Sequence, residues 1–363
     1  APQPSAPPVT GAVGRATVAF RGERQPGVGT PAPAFATVVA FDLRPGVDRA
    51  ALVRLMRVWT DDIERLMAGT PPLADQAGEL TALPASLTAT VGYGPGFFAA
   101  AGLAHRAPSW AAPLPPFAVD QLEDRWSGGD LVLQVCADDQ LALAHAVRVL
   151  SVGATTFATP RWTQHGFRHA PGVTAPGATM RNLLGQLDGT RNVQPDVDPD
   201  LVWHSGPDAG WLAGGTSMVV RRIRMNLDTW DVLDRGSREA ALGRRLADGA
   251  PLTGSTETDV PDLEARDARG FTVIGPAAHV RRAAATTPRE RFMRRPFNYL
   301  DPTEAGLLFI AFQADPVAQL VPVQQRLAEA DVLNIWTTPV GSAVFAVPPG
   351  ARDGEYLGEG LLA

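Results

Sequence analysis

The order of the apolar segments is the feature that constrains the fold of this chain most. In the first half, short apolar runs typical of buried strands alternate with longer segments that have the apolar spacing of amphipathic helices. The order is strand, helix, strand, strand, helix, strand, in segments 35–43, 47–69, 86–94, 128–138, 138–153 and 154–164. This is the order of the split β-α-β unit found in ferredoxin-like domains. We therefore predict an α+β fold with an antiparallel sheet.

The second half of the chain repeats the first. Its segments read as a strand, one or two helices, a strand, a helix and a strand, at 214–227, 228–249, 305–315, 316–331 and 340–350. The run "AGLLFIAFQAD" matches "GGDLVLQVCAD" of the first half in position and pattern. Such self-similarity indicates a duplication. We predict an arm at 1–33 and ferredoxin-like domains at 34–175 and 176–363.

One element of the repeat is missing from the sequence pattern. The second half has no clear second strand, and a long segment with little periodicity, 250–304, stands in its place. Long irregular segments in compact domains are usually functional or disordered. The runs "FTVIGPAAHVRRAA" and "RFMRRPFNY" within it are too apolar for disorder. We therefore expect this segment to contribute to a functional site.

Composition excludes several classes of protein. The net charge of −6 argues against a general binder of nucleic acids or anionic membranes. The single cysteine, Cys136, permits neither an intramolecular disulfide nor a cysteine-based zinc site. No apolar run reaches the length of a membrane span. The start, "APQPSAPPVTGAVG", is similar to an end left after removal of an export signal, although a trimmed chain would look the same.

Two positions are candidates for chemistry. Asp188 lies between Gly185 and Gly189 in "NLLGQLDGTRN", where glycines allow a tight turn. His279 ends the apolar run "FTVIGPAAH" and is followed by arginines. An imidazole beside buried apolar sequence needs a partner, which is either an ordinary hydrogen-bonding group or a metal. From these residues alone, both possibilities remain open.

Three blocks in order resemble the dye-decolourising peroxidase family. "RNLLGQLDGTRN" resembles its G-x-x-D-G motif, "AAHVRRA" its proximal-histidine segment and "FMRRPFNY" its distal-arginine segment. The likeness extends over nearly the whole chain and is closest to the secreted A-type branch, whose members usually carry a twin-arginine export signal. The resemblance implies an extracellular protein with duplicated ferredoxin-like domains. It also implies one non-covalent haem b per chain, bound in the C-terminal half.

The resemblance also implies roles for individual residues. His279 would ligate the haem iron, and Asn334 would accept the hydrogen bond from its other ring nitrogen. Asp188 would move protons on the opposite face, where Arg294 or Arg295 would keep it ionised and stabilise the leaving oxygen. The supporting candidates for cofactor binding are Gly189, next to Asp188, and Arg281, two residues beyond His279. Alternation along the strand places Arg222 and Arg224 on the same face, where Arg224 is either a ligand of a haem propionate or an ordinary exposed arginine.

The implied activity is that of a peroxidase. It would reduce hydrogen peroxide through a ferryl intermediate and oxidise dyes, phenols or other one-electron donors. The alternative is an exported, deferrochelatase-like protein that handles haem or iron and turns over slowly. A protein partner from a metal pathway would be possible in either case. Trp336 and Tyr299 lie in the haem-side blocks and fit either a core position or an electron relay.

Overall fold

The computed structural model describes residues 13–175 and 177–363 of the chain. The strands are β1 (Phe35–Leu43), β2 (Thr88–Tyr93), β3 (Leu131–Ala137), β4 (Ala158–Phe167), β5 (Thr216–Met225), β6 (Met293–Arg294), β7 (Phe297–Leu300), β8 (Ala305–Gln313) and β9 (Thr337–Val347). The α-helices are α1 (Arg49–Met67), α2 (Pro95–Ala100), α3 (Gln140–Ala154), α4 (Pro199–Val202), α5 (Leu227–Asp231), α6 (Arg235–Leu242), α7 (His279–Arg282), α8 (Pro316–Ala330) and α9 (Glu359–Leu362). Short 3₁₀ turns include Val332–Ile335, directly after α8.

Helix α1 shows how the local sequence sets these elements. Asp48 caps its start, because the side chain accepts a hydrogen bond from the backbone N–H of Ala51. Its apolar residues recur at helical spacing and are buried: Leu52, Leu55, Met56, Trp59, Ile63 and Leu66. Each such side chain contributes about 1.5–3 kcal/mol relative to an exposed position. This face binds the helix to the sheet, as the periodicity predicts.

The two halves have the same antiparallel topology. In the first half the strands lie in the order β2-β3-β1-β4, and in the second in the order β9-β5-β8-β7. Both correspond to the ferredoxin-like arrangement, in which the first and third strands occupy the centre. The predicted α+β fold with duplicated ferredoxin-like units is confirmed. The boundaries at 34–175 and 176–363 stay a prediction, and residues 1–12 of the predicted arm lie outside the described residues.

The missing second strand of the C-terminal half consists of two short pieces. β6 pairs with β8 through Met293 and Arg294, and β7 pairs with β8 along Phe297–Leu300. The sequence has no clear strand pattern here, and the structure shows that two short strands occupy this place. Strands of this length have no readable periodicity, and pairing with β8 is what holds them extended. Arg294 consequently lies on a strand and not in a loop.

The sheet forms a closed ring of strands. β5 pairs with both β9 and β8, β2 pairs with β9, and β4 pairs with β7. One apolar cluster fills the space inside, including Val38, Met218 and Phe312. The outer face of the first half is covered by α1 and α3. The outer face of β5 and β8 is covered instead by α5, α6 and the turn at 332–335, in a cluster that includes Met225, Leu307 and Leu333. In the described part of the chain, no helix is long and apolar enough to cross a membrane.

Candidate active site

His279 and Asp331 form the centre of the candidate site. His279 is the first residue of α7, and its Nδ1 lies 2.5 Å from Oδ2 of Asp331. The second carboxylate oxygen of Asp331 accepts the backbone N–H of Leu333 at 2.9 Å, which fixes the carboxylate. Burial alone lowers the pKa of His279, but the Asp331 carboxylate outweighs this and holds that pKa above its usual range. Asp331 therefore orients the ring and enriches its electron density.

The other ring nitrogen of His279 faces open space. Within residues 13–175 and 177–363, Nε2 has no hydrogen-bond partner. The side chain of His279 is 24% accessible, so protein atoms do not cover the ring completely. The space beside this accessible part of the ring is called the gap below. An imidazole that is held by a carboxylate through one nitrogen and has its second nitrogen free is the arrangement that a haem ligand requires.

Asn334 does not have the predicted contact with His279. Its Nδ2 donates to the carbonyl oxygen of Leu327 at 2.8 Å, which closes the end of α8. The predicted acceptor was therefore wrong, and Asp331, three positions earlier, accepts instead. The signal available in the sequence was a carboxylate in the same segment, "ADVLN". Which of the two faces the histidine depends on how α8 packs against α7, and local spacing does not reveal this.

Asp188 and Arg294 form the second half of the site. Arg294 donates from Nη1 to Oδ1 of Asp188 at 2.8 Å, and both side chains are largely buried. Their charges are near enough to His279 to act on its pKa in opposite directions. The acid and the guanidinium therefore lie in the neighbourhood of the imidazole. The sequence analysis grouped these three residues, and the roles that it assigned to them stay a prediction.

The loop that carries Asp188 has a tightly defined shape. Gly185 and Gly189 have φ values of +84° and +130°, which side chains other than glycine adopt at a cost. Asn192 then joins the loop to β6, because its side chain accepts the backbone N–H of Arg294 and donates to the carbonyl oxygen of Arg294, both at 2.7 Å. This two-point contact holds Arg294 in register with Asp188.

A second clamp on the loop was missed by sequence analysis. One carboxylate oxygen of Glu257 accepts the hydroxyl of Thr179 at 2.5 Å and that of Thr190 at 2.8 Å. These threonines lie on either side of Asp188, so Glu257 ties both ends of the loop together. Glu257 belongs to the irregular segment 250–304, which therefore has the expected role in the site. No local motif distinguishes Glu257 from the other acids of that segment.

Arg295 points away from Asp188. Its guanidinium donates to the carbonyl oxygens of Thr30 at 2.5 Å and Pro31 at 3.2 Å, and the residue is 2% exposed. Burial lowers the pKa of Arg295. Arg295 is therefore not the arginine that contacts Asp188, because successive residues of an extended strand point to opposite sides. Arg295 instead anchors the segment before β1.

Arg224 and Arg281 contact protein groups other than His279 and Asp188. Arg224 lies with Arg222 on the face of β5 opposite Ile223 and Met225, and its Nη1 is 3.5 Å from a carboxylate oxygen of Glu304. The guanidinium of Arg281 donates to the carbonyl oxygens of Leu263 and Ile274. Both guanidinium groups have protein partners, and their predicted contacts with haem propionates stay a prediction.

Known proteins are similar to this chain over almost all of its length. Models of the families described as "Dyp-type peroxidase, N-terminal" and "Dyp-type peroxidase, C-terminal" match residues 25–168 and 179–352. The dye-decolorizing peroxidase of Thermobifida fusca (strain YX) is 42% identical over 359 residues, covering 93% of this chain and 83% of that protein.

A deferrochelatase and the crystal structure of a DyP-type peroxidase are also similar to this chain. The deferrochelatase of Escherichia coli (strain UTI89 / UPEC) is 32% identical over 372 residues, covering 94% of this chain and 86% of that protein. The crystal structure of a DyP-type peroxidase from Cellulomonas bogoriensis superposes with a TM-score of 0.94 at 57% identity, covering 97% of this chain and 99% of that one.

Proposed function

The chain belongs to the Dyp-type peroxidase family and is a haem-dependent peroxidase, and on this premise we propose how its residues serve the reaction. The haem, when bound, supplies an iron that takes up peroxide and stores two oxidising equivalents. One set of observations supports the assignment of the site: among the described residues, the side chain of His279 is bonded to Asp331 through Nδ1 only, and the Asp188–Arg294 pair is near enough for both of its charges to act on the pKa of His279. His279 would hold the cofactor, and Asp188 with Arg294 would supply the groups that move protons and stabilise charge.

His279 would hold the iron through Nε2, and Asp331 sets the orientation of the imidazole ring. The Asp331 carboxylate keeps the Nδ1–H hydrogen-bonded, so the lone pair of Nε2 is directed into the gap. A charged acceptor makes the imidazole a stronger electron donor than a neutral one would. This favours cleavage of the peroxide O–O bond.

On the distal side, Asp188 moves the proton and Arg294 stabilises charge. The carboxylate of Asp188 accepts a proton from one peroxide oxygen and delivers it to the other, which leaves as water. The Arg294 guanidinium, 2.8 Å from Oδ1, fixes the carboxylate and offsets negative charge on the departing oxygen. Asn192 and Glu257 keep the two groups in register but do not touch the substrate.

The electron donors are dyes, phenols or similar small molecules that lose one electron at a time. The test is a stopped-flow measurement of the haem-loaded protein with one equivalent of hydrogen peroxide. Rapid loss of the resting Soret band, and its return when a phenol is added, supports turnover as a peroxidase. No spectral change within seconds would favour the alternative, a slow haem- or iron-handling protein, which the 32% identity to a deferrochelatase suggests.

Export stays a prediction from the likeness to the secreted branch. Immunodetection in fractionated cells of the source organism tests it. Protein in the extracellular or periplasmic fraction would support export, and protein confined to the cytoplasmic fraction would contradict it.

A further inference from the structure

The segment between α7 and β6, residues 283–292, joins the histidine side of the site to the arginine side. We call it the connector. His279 begins α7, and the backbone N–H of Ala283 donates to the carbonyl oxygen of His279 at 2.8 Å. Arg294 follows the other end of the connector, on β6. The position of the connector therefore affects both halves of the site.

Arg326, on α8, holds the half of the connector that is nearer to His279. Its Nη2 donates to the carbonyl oxygen of Ala284 at 2.9 Å, and its Nη1 lies 2.8 Å from Oε2 of Glu290. Glu290 also accepts hydrogen bonds from Thr286, from the backbone N–H at 3.0 Å and from the hydroxyl at 2.8 Å. The side chains of Arg326 and Glu290 are only 23% and 11% exposed. Solvent ions screen such a partly buried pair less than an exposed one, so the contact holds the connector firmly.

Gln319, two turns earlier on the same helix, holds the half of the connector that is nearer to Arg294. Its Nε2 donates to the carbonyl oxygens of Arg291 at 2.6 Å and Leu201 at 2.9 Å, and the residue is buried. Its Oε1 accepts the backbone N–H of Asp315 at 2.8 Å, which fixes the orientation of the amide. β6 has only two residues, so its pairing with β8 is short. Gln319 adds a second support three residues before the arginine.

α8 makes all of these contacts as one continuous element. Residues seven positions apart lie on the same face of a helix, so Gln319 and Arg326 contact the connector together. Asp331, which accepts the hydrogen bond from His279, is the C-cap residue of the same helix. Pro322 removes one hydrogen bond within α8, yet the helix continues past it. Because a helix rises by about 1.5 Å per residue, the three contacts keep a fixed spacing.

We propose that Gln319 and Arg326 are positioning residues, through which α8 places both the haem ligand and the distal arginine. The proposal rests on the roles proposed above for His279 and Arg294. Arg326 serves the histidine side, because a shift of α8 against the connector would carry Asp331 away from His279. Gln319 serves the arginine side, because release of the connector next to β6 would displace Arg294.

The first test measures the histidine side without turnover. Arg326→Met removes the contacts with the connector, and a longer hydrogen bond to Asp331 makes the imidazole a weaker electron donor. The iron–histidine stretching band in the resonance Raman spectrum of the ferrous, haem-loaded protein should therefore move to lower frequency. Haem affinity, measured by transfer to apomyoglobin, should fall by about 10-fold, the lower end of the effect of such supporting contacts. Arg326→Lys, which keeps a charge beside Glu290, should show a smaller change in the same direction.

The matched control for this test is Arg106→Met. Arg106 also donates to two backbone carbonyl oxygens, at 2.9 and 3.0 Å, but it holds α9. An unchanged Raman band in both Arg326 variants, or an equal shift in Arg106→Met, would overturn the proposal. Absence of an iron–histidine band from the wild type would instead refute the proposed ligand role of His279.

The second test measures the arginine side. Gln319→Met keeps the length of the side chain but removes the donor to Arg291 and Leu201. The second-order rate constant with hydrogen peroxide should fall, by up to about 10²-fold for a displacement of about 1 Å. The iron–histidine band should stay unchanged, because α8 still holds Asp331 in place.

The chain offers a close control for Gln319→Met. Gln25 is also buried, donates to two carbonyl oxygens at 2.9 and 3.0 Å and accepts one backbone N–H at 2.9 Å. Gln25→Met should therefore destabilise the fold without slowing the reaction with peroxide. A rate constant of Gln319→Met within twofold of that of Gln25→Met would show that Gln319 has only a structural role.

Discussion

His279 and Asp331 are 52 positions apart in the sequence, yet the imidazole and the carboxylate share a 2.5 Å hydrogen bond. α7 begins at the histidine, and the aspartate lies between α8 and the 3₁₀ turn that follows it. The pair therefore joins the irregular segment of the C-terminal half to its last helix. It also fixes which nitrogen of the imidazole faces the gap.

Replacing the acceptor should change the electronic character of the haem ligand. Asp331→Asn removes the negative charge beside Nδ1, so we expect a more positive reduction potential of the haem-loaded protein. Haem affinity or activity should fall by about 10–100-fold, as is typical for such supporting contacts. Redox titration and haem transfer measure the two effects. Asn334→Ala is the control: a shift there as large as that in Asp331→Asn would contradict the structural assignment.

The two adjacent arginines should behave differently. Arg294→Leu removes the guanidinium next to Asp188, so the reaction with peroxide should slow by about 10²–10³-fold, as for the loss of one charge-stabilising donor. Arg295→Met should leave that rate unchanged and destabilise the fold by about 1.5–3 kcal/mol, because its backbone acceptors lose a charged donor. Stopped-flow spectra and chemical denaturation separate the effects. An unchanged peroxide rate in Arg294→Leu together with a slow reaction in Arg295→Met would assign the charge-stabilising role to Arg295 instead.

Asp188→Asn should slow the same step without loss of haem. The amide fills the same space but does not transfer the proton, which is typically worth about 10²–10⁴-fold. The measurement is the second-order rate constant for loss of the resting Soret band with peroxide. A rate constant within twofold of the wild type would show that Asp188 is not the proton-transfer group.

Asn192 should affect the rate of the reaction with peroxide only because it positions Arg294. Asn192→Ala removes two hydrogen bonds to the backbone of Arg294, costing about 1–3 kcal/mol of stability. Displacement of the guanidinium should also slow the peroxide reaction, because misplacement by about 1 Å costs up to 10²-fold. Asn226→Ala, which removes the cap of α5, is the matched control for stability. Equal peroxide rates in the two variants would show that Asn192 has only a structural role.

The sequence was sufficient where local pattern determines structure. Strands such as β3 and β8 were predicted because they are short, continuous apolar runs, and helix α1 was predicted because its apolar residues recur at helical spacing. β6 and β7 were not, because two to four residues carry no period and depend on pairing with β8. The same pairing decides that Arg294 faces Asp188.

Only those residues of the site that lie within a recognisable sequence motif were predicted. Asp188 and His279 lie in recognisable blocks, whereas Asp331 and Glu257 act through contacts that span 52 and at least 67 positions. Arg224 was assigned from alternation alone, which indicates a face of β5 but not which face borders the gap. Such contacts follow from the packing of whole elements, so a single sequence does not specify them.

The location of the iron tests the central claim most directly. Anomalous diffraction at the iron absorption edge, from crystals of the haem-loaded protein, places the metal without assumptions about the cofactor. We expect one strong peak per chain, adjacent to Nε2 of His279 and on the line towards Asp188 and Arg294. A peak bound to any other side chain, or a His279 ring with no metal next to it, would contradict the proposed site.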